Sequence, residues 1–269
     1  MADKRSALNQ KQIEILELLY KYRFGSRQLL ADSLGIKSGT SLYERLNVLI
    51  HHGLVAMRQE KKSKLLGIPA AYFLTPKGLR ALQSLDGHDY ISEAVIKSSY
   101  KDKVLGESFI LHTLKVYGLT NVLRRRYQEL KVYLRRDMSR YDYFPDNPPD
   151  AFLSFKLGGE TKRFFLDVIP DNLPRNILDR RISNYLTFFE DGGWDATNSE
   201  LPALLLVAEK GTTETRARRA ARAVVGRLEL DEDLDIYTTT YTAIENMDRA
   251  GEIWTHIDEP DELLSLDSL

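Results

Sequence analysis

The sequence predicts an α+β protein in two parts, a basic and mostly helical N-terminal part and a larger part that alternates strands with helices. Three observations predict this. Over the first fifty residues the apolar side chains recur every three to four positions, as one face of a helix requires. Two short strand-like runs, 54–58 and 70–74, then flank a lysine-rich loop. From residue 130 onward, short apolar runs alternate with longer helical patterns. Charge supports the same division. Residues 1–85 carry 14 Lys and Arg against 6 Asp and Glu, whereas the remainder carries 24 against 33.

A chain of 269 residues suits one large domain or two modest ones. It contains no cysteine, which excludes disulfide frameworks, cysteine-ligated zinc and thiol catalysis. No apolar run approaches the roughly 20 residues of a membrane helix, so no membrane partner is expected. The opening MADKRSALNQ has no secretory apolar stretch. A cytoplasmic location is the expectation.

The N-terminal domain is placed at residues 1–86. Asn9 is a suitable N-cap, and Ile15, Leu18, Leu19 and Tyr22 form the apolar stripe of the first helix, which Gly25 stops. Ser26 caps a second, short helix with Leu29, Leu30 and Leu34 facing inward, and Gly35 supplies the turn. Ser41-Leu42-Tyr43-Glu44 has capping-box spacing and opens a third helix, with Leu42, Leu46, Leu49 and Ile50 as its buried stripe and Gly53 at its end. The strand Leu54–Arg58, the loop with Lys61, Lys62 and Lys64, and the strand Ala70–Leu74 read as a hairpin with a basic tip. Thr75-Pro76-Lys77-Gly78 opens a further helix through Leu85, with Pro76 in its first turn.

Three helices, a short second turn and a basic hairpin make the winged helix-turn-helix pattern. Residues 8–85, including the Y-F-L-T-P-K-G lead-in to the last helix, resemble bacterial winged-helix regulators. The partner implied is double-stranded DNA, bound as a homodimer on paired half-sites. The start of the recognition helix would place Thr40, Ser41, Tyr43, Arg45 and Asn47 at base edges, with Arg45 suited to guanine and Asn47 to adenine. Arg58, Lys61, Lys62 and Lys64 would lie on phosphates. Glu44 is assigned to the capping box. The alternative is a protein-contact surface with solubilising lysines.

Residues 87–103 are polar and weakly periodic and read as a linker; 104–250 form the second domain, and 251–269 an acidic tail with six acids from Glu252 on and no Lys or Arg. A helix runs from Val104 toward Tyr127. Strands follow at Leu130–Leu134, Asp150–Phe155 and Arg163–Ile169, the last two joined by a Gly158-Gly159 turn. Then come a helix at 175–190 with Leu178, Ile182, Tyr185, Leu186 and Phe189 on one side, a buried-type strand Ala203–Glu209, an arginine-studded helix Thr213–Leu228 and a strand Asp235–Tyr241.

This order, with Pro149-Asp150 opening one strand and Asp167 late in the next, resembles the PD-(D/E)XK nuclease-like fold. The resemblance implies two carboxylates, Asp150 and Asp167, on neighbouring strand ends, with Glu107 as a third candidate ligand. As catalytic residues they would hold Mg²⁺. The lysine expected two residues after the second acid is Ile169, which neither binds metal nor moves a proton. Leu111-His112-Thr113-Leu114, Pro149-Asp150 and Arg163-Phe164-Phe165-Leu166-Asp167-Val168, ahead of a helix with Asn184-Tyr185, together resemble the replication-relaxation family of plasmids and conjugative elements. That resemblance, over residues 8 to 240, implies a DNA-binding accessory protein of a mobile element, acting with other replication or relaxosome proteins. His112 reads either as a core histidine or as a functional one. Arg216, Arg218, Arg219, Arg222 and Arg227 form either a second DNA stripe or a solvated face toward the acidic tail.

Three functions remain open from the sequence. The first is an origin-binding accessory protein with a non-catalytic nuclease-like domain. The second is an active metal-dependent endonuclease or relaxase that nicks origin DNA. The third is a transcriptional regulator, although isolated Gly158-Gly159 and Gly192-Gly193 pairs give no phosphate loop for a nucleotide effector.

Overall fold

The structure, a computed structural model, describes residues 8–60, 64–228 and 234–269. It is a mixed α+β protein whose contacts divide it into two compact units, Met1–Asn121 and Val122–Leu269.

The first unit begins with α1 (Gln10–Tyr22), α2 (Arg27–Ser33) and α3 (Thr40–His51). Asn9 and Gln12 cap α1 reciprocally, and the Ser26 hydroxyl accepts from the Leu29 N–H at the start of α2. In α1 the second apolar position is filled by Leu16, not Leu18, so that Ile15, Leu16, Leu19, Tyr20 and Tyr22 are buried. The capping box expected at Ser41–Glu44 does not form. α3 starts two residues earlier than that box requires, behind Gly39, which has no side chain to cap it. Strands β1 (Val55–Arg58) and β2 (Ala71–Leu74) pair antiparallel, Val55 against Leu74. α4 (Pro76–Gln83) follows, capped by Thr75 with Pro76 in its first turn.

The stretch 87–103, expected as a linker, is part of this unit. It contains α5 (Glu93–Ser99), and Ile91 and Ile96 are buried. Asp102 is buried too, ion-paired to Arg23 at 2.7 Å. Burial of two isoleucines and a paired acid fixes the segment despite its polar composition. α6 (Glu107–Arg126) contains the boundary between the units. Its first part is held to α1 and α2: the Tyr117 ring stacks on Tyr22 at 3.5 Å, and Ser33 bonds Tyr117 and Asn121 at 2.8 and 3.0 Å.

The second unit is built on a six-stranded sheet in sequential order. Its strands are β3 (Lys131–Leu134), β4 (Ala151–Leu157), β5 (Glu160–Ile169), β6 (Ala203–Ala208), β7 (Ile236–Thr240) and β8 (Thr255–His256). β3, β4 and β5 are antiparallel, β5, β6 and β7 parallel, and β8 antiparallel to β7. Beyond the expected elements, α7 (Arg135–Met138) follows β3 and α10 (Tyr241–Glu245) follows β7. α8 (Arg175–Glu190) and α9 (Gly211–Val225) are the two crossovers between parallel strands. Their apolar stripes, Leu178, Ile182 and Leu186 on α8 and Ala217, Ala220 and Val224 on α9, join one core with Phe165, Ile169, Leu204 and Leu206 of the sheet.

The C-terminal residues 251–269 are not a free tail. Trp254, Ile257 and Leu266 are buried, β8 pairs with β7, and Trp254 bridges Leu264. Two of the acids pair with arginines: Asp258 meets Arg222 at 3.1 Å and Asp267 meets Arg126 at 3.4 Å.

Candidate functional site

Two groups of residues singled out by the sequence are well formed, one in each unit. In the first unit, Leu42, Leu46 and Leu49 pin α3 by one face, all fully buried. On a 3.6-residue period Thr40, Glu44, Asn47 and His51 then fall opposite, with Tyr43 and Val48 on the flanks. Thr40, Ser41, Tyr43, Glu44, Asn47 and Val48 are all exposed. Arg45 falls beside the buried stripe and is half-buried, so it stands apart from the face that Thr40 and Asn47 share.

Arg27 was not singled out by sequence, yet it extends this face. Its guanidinium lies 5.8 Å from the Tyr43 ring centre, and its Nε–H donates to the Ser38 hydroxyl at 3.2 Å. The buried Tyr72 hydroxyl is in the same neighbourhood. Burial pushes its pKa up, Arg27 opposes that, and Tyr43 adds to it. The available signal was Arg27's place directly after the Ser26 cap.

The hairpin differs from expectation at Arg58. Its guanidinium donates to the Leu105 carbonyl and lies 3.6 Å from Glu60, which turns it inward, away from a phosphate role. Lys64 is exposed. Lys61 and Lys62 lie outside the described residues. Glu107 opens α6 in the first unit and lines a cavity of about 30 Å³ with Arg58, Ile110 and Leu114. His112 is half-buried on the same helix.

In the second unit the structure brings Asp150 and Asp167 together. Pro149 has no N–H, so β4 cannot extend backward as a ladder, and the last backbone pair is Ala151 with Leu166. Side chains continue where the ladder stops. The Asp150 N–H donates to Asp167 Oδ1 at 2.9 Å, and the Val168 N–H donates to Asp150 Oδ2 at 3.0 Å. Asp167 is fully buried. It points to the α8 face of the sheet, where the Tyr185 hydroxyl donates to its Oδ2 at 2.8 Å and the Arg181 guanidinium donates to its Oδ1. Arg181 also reaches Asp150 Oδ1 at 3.4 Å, and Arg135 donates to that oxygen at 3.2 Å.

Burial raises the Asp167 pKa, opposed by Arg181; Asp150 adds a like charge, and the Asp150 N–H and Tyr185 hydroxyl pull it back down. For Arg181, burial disfavours the charge, but Asp167 and Asp150 outweigh it and hold the guanidinium above its ordinary value. Burial and the neighbouring Asp167 push Tyr185 well up.

This donor set does not fit Mg²⁺, which takes about six oxygens in octahedral array. Every carboxylate oxygen of the pair already accepts from an N–H or O–H, and Ile169 is fully buried in the core against α8. Among the described residues no group of three or more His, Asp or Glu is arranged to hold a metal.

The α9 arginines are mostly committed within the unit. Arg216 donates to the Asp171 carbonyl at 3.0 Å, Arg218 pairs with Glu214 at 2.8 Å, and Arg222 pairs with Asp258. Among the described residues no helix is long and apolar enough to cross a membrane.

No family profile matches the chain, and no curated protein does; the replication-relaxation resemblance therefore has no support from these comparisons. Among solved structures the chain is similar to a chain of restriction endonuclease FokI at 13% identity, covering 87% of this chain and 42% of that one, with a TM-score of 0.33. A second, FokI bound to DNA, is also 13% identical and covers 91% of this chain and 44% of its own, with a TM-score of 0.31. The chain thus spans less than half the length of these neighbours.

Proposed function

We propose that this protein binds double-stranded DNA through a winged helix-turn-helix formed by α1–α4 and the β1–β2 hairpin. The observation that carries this reading is α3: three fully buried leucines hold it from behind, while Thr40, Tyr43, Glu44 and Asn47 stand exposed in front. A helix presented in this way fits the major groove of B-DNA. Asn47 suits an adenine edge. Glu44, released from the expected capping box, can only accept hydrogen bonds, which matches the amino group of cytosine and repels phosphate. Among the described residues Lys64 and Arg27 are exposed cations placed to meet phosphates, and Arg58 is withdrawn from that set.

The finer reading is an accessory protein acting at the origin of a plasmid or other mobile element, binding as a homodimer. The second unit serves as a platform, its paired aspartates engaged with arginines and with each other. The test is selection from a pool of randomised duplexes by the purified protein. A recovered consensus, with binding that weakens steeply as salt rises, supports the reading. Recovery of no enriched sequence, or binding indifferent to salt, refutes it.

A further inference from the structure

Two carboxylates held side by side repel, and a nearby cation favours keeping both of them charged. In a metal-dependent site that cation is a divalent ion. Here it is a side chain. One atom, Arg181 Nη2, contacts Asp167 Oδ1 and lies 3.4 Å from Asp150 Oδ1. Arg135 closes the other side of Asp150 at 3.2 Å.

The sequence builds this deliberately placed charge with ordinary means. Leu178, Ile182, Tyr185 and Leu186 dock α8 on the sheet and are buried. Arg181 sits within that stripe, so docking the helix delivers its guanidinium to the strand ends. Tyr185, one turn on, delivers its hydroxyl to the remaining oxygen of Asp167 at 2.8 Å.

We propose that Arg181 is the resident counter-ion of the Asp150–Asp167 pair, standing where a divalent cation would otherwise bridge the two carboxylates. The pair is then a structural lock joining the start of β4, the end of β5 and α8, and it takes no metal. This inference concerns the second unit alone and does not depend on DNA binding by the first.

The test uses the full chain and Mn²⁺ as the probe. Trp194 and Trp254 both lie buried in the second unit and are the chain's only two tryptophans, so their fluorescence follows its unfolding. The expected result for the wild type is the same urea midpoint in Mn²⁺ and in EDTA, with no Mn²⁺ bound by paramagnetic relaxation. The variant Arg181→Met, or Arg181→Gln if the first does not fold in EDTA, removes the charge. It is expected to lose stability in EDTA, to recover a higher midpoint in Mn²⁺, and to lose that recovery when Asp167→Asn is added. A wild-type protein that Mn²⁺ stabilises, with the effect abolished by Asp150→Asn, overturns the proposal. So do Arg181 variants that gain nothing from Mn²⁺, folded or unfolded.

Discussion

In the first unit the polar side chains of α3 face outward over buried leucines, whereas in the second the polar side chains at the β4 and β5 ends face inward and satisfy one another. The residue types overlap, since carboxylates and arginines appear in both places. What differs is the accounting of hydrogen bonds. An exposed Asn47 or Glu44 keeps its hydrogen-bonding capacity for a ligand. A buried Asp167 has both oxygens engaged, by Asp150, Arg181 and Tyr185. The lesson is that a pair of acids at strand ends says little about chemistry until the donors around them are counted. A surface set of polar groups is free to meet a partner; an internal set whose groups satisfy one another is costly to disturb.

The comparison breaks first where a buried charge is orphaned. Asp167→Ala leaves the half-buried Arg181 without its main partner, and since removing one member of a fully buried pair costs about 3–5 kcal/mol, the expected loss approaches the lower end of that range. Urea unfolding followed by tryptophan fluorescence checks this; a loss no larger than that of an exposed aspartate would mean the lock carries no weight.

The next effect belongs to the first unit and is steric. A Cβ on Gly78 would meet the Leu54 carbonyl oxygen at 2.0 Å, a backbone atom that cannot swing aside. Gly78→Ala is expected to cost roughly 1–3 kcal/mol or more through overpacking, read as a lower midpoint in far-ultraviolet circular dichroism.

A milder change sharpens the outward-facing half. Lys64→Ala is expected to weaken binding equally for all duplex sequences and to lower the slope of log affinity against log salt by about 0.9, the share of one phosphate contact. Asn47→Ala in the same titrations should alter preference at one position and leave that slope alone.

The smallest effect is alkaline. Tyr127, Tyr143, Tyr185 and Tyr237 of the second unit are all raised, chiefly by burial, and Tyr237 reaches about 12. A raised folded pKa means the folded state keeps its protons longer. The associated stability is therefore whole below the ordinary value of 10 and is lost as pH rises through about 12. Absorbance titration of the phenolates, native against urea-unfolded, should show the native curve displaced upward.

Much of the fold was legible because local signals and burial agree. Asn9 and Ser26 cap the helices they were expected to cap, Pro76 stands in the first turn of α4 as expected, and the strands expected at 150–155, 163–169 and 203–209 form as 151–157, 160–169 and 203–208. The misses share a cause. Residues 87–103 and 251–269 are polar in composition, yet Ile91, Ile96, Trp254, Ile257 and Leu266 are buried by partners distant in sequence. Composition averages hide a few anchoring residues. At the Ser41–Glu44 box, the helix starting earlier at Thr40 moved both residues inside it.

The aspartate pair was legible as a pair, from Pro149-Asp150 and the strand register. Its arginine was not, because Arg181 is fourteen residues from Asp167 and meets it only after α8 docks. The usable hint was an arginine standing within an apolar helical stripe, one residue before Ile182 and four before Tyr185. Such a side chain must find a buried partner or leave the stripe.

The central claim is that the exposed face of α3 reads duplex DNA, and one titration tests it most directly. The selected duplex and a scrambled one are titrated with wild type and with the triple variant Thr40→Ala, Tyr43→Ala, Asn47→Ala, at fixed salt. All three side chains are exposed, so each substitution is expected to change stability by about 0.5 kcal/mol or less, with Tyr43→Ala also losing its Arg27 contact, and the triple variant is expected to remain folded. The account predicts that the variant binds both duplexes alike, at the wild type's affinity for the scrambled one. A folded variant that still prefers the selected duplex as strongly as wild type contradicts it.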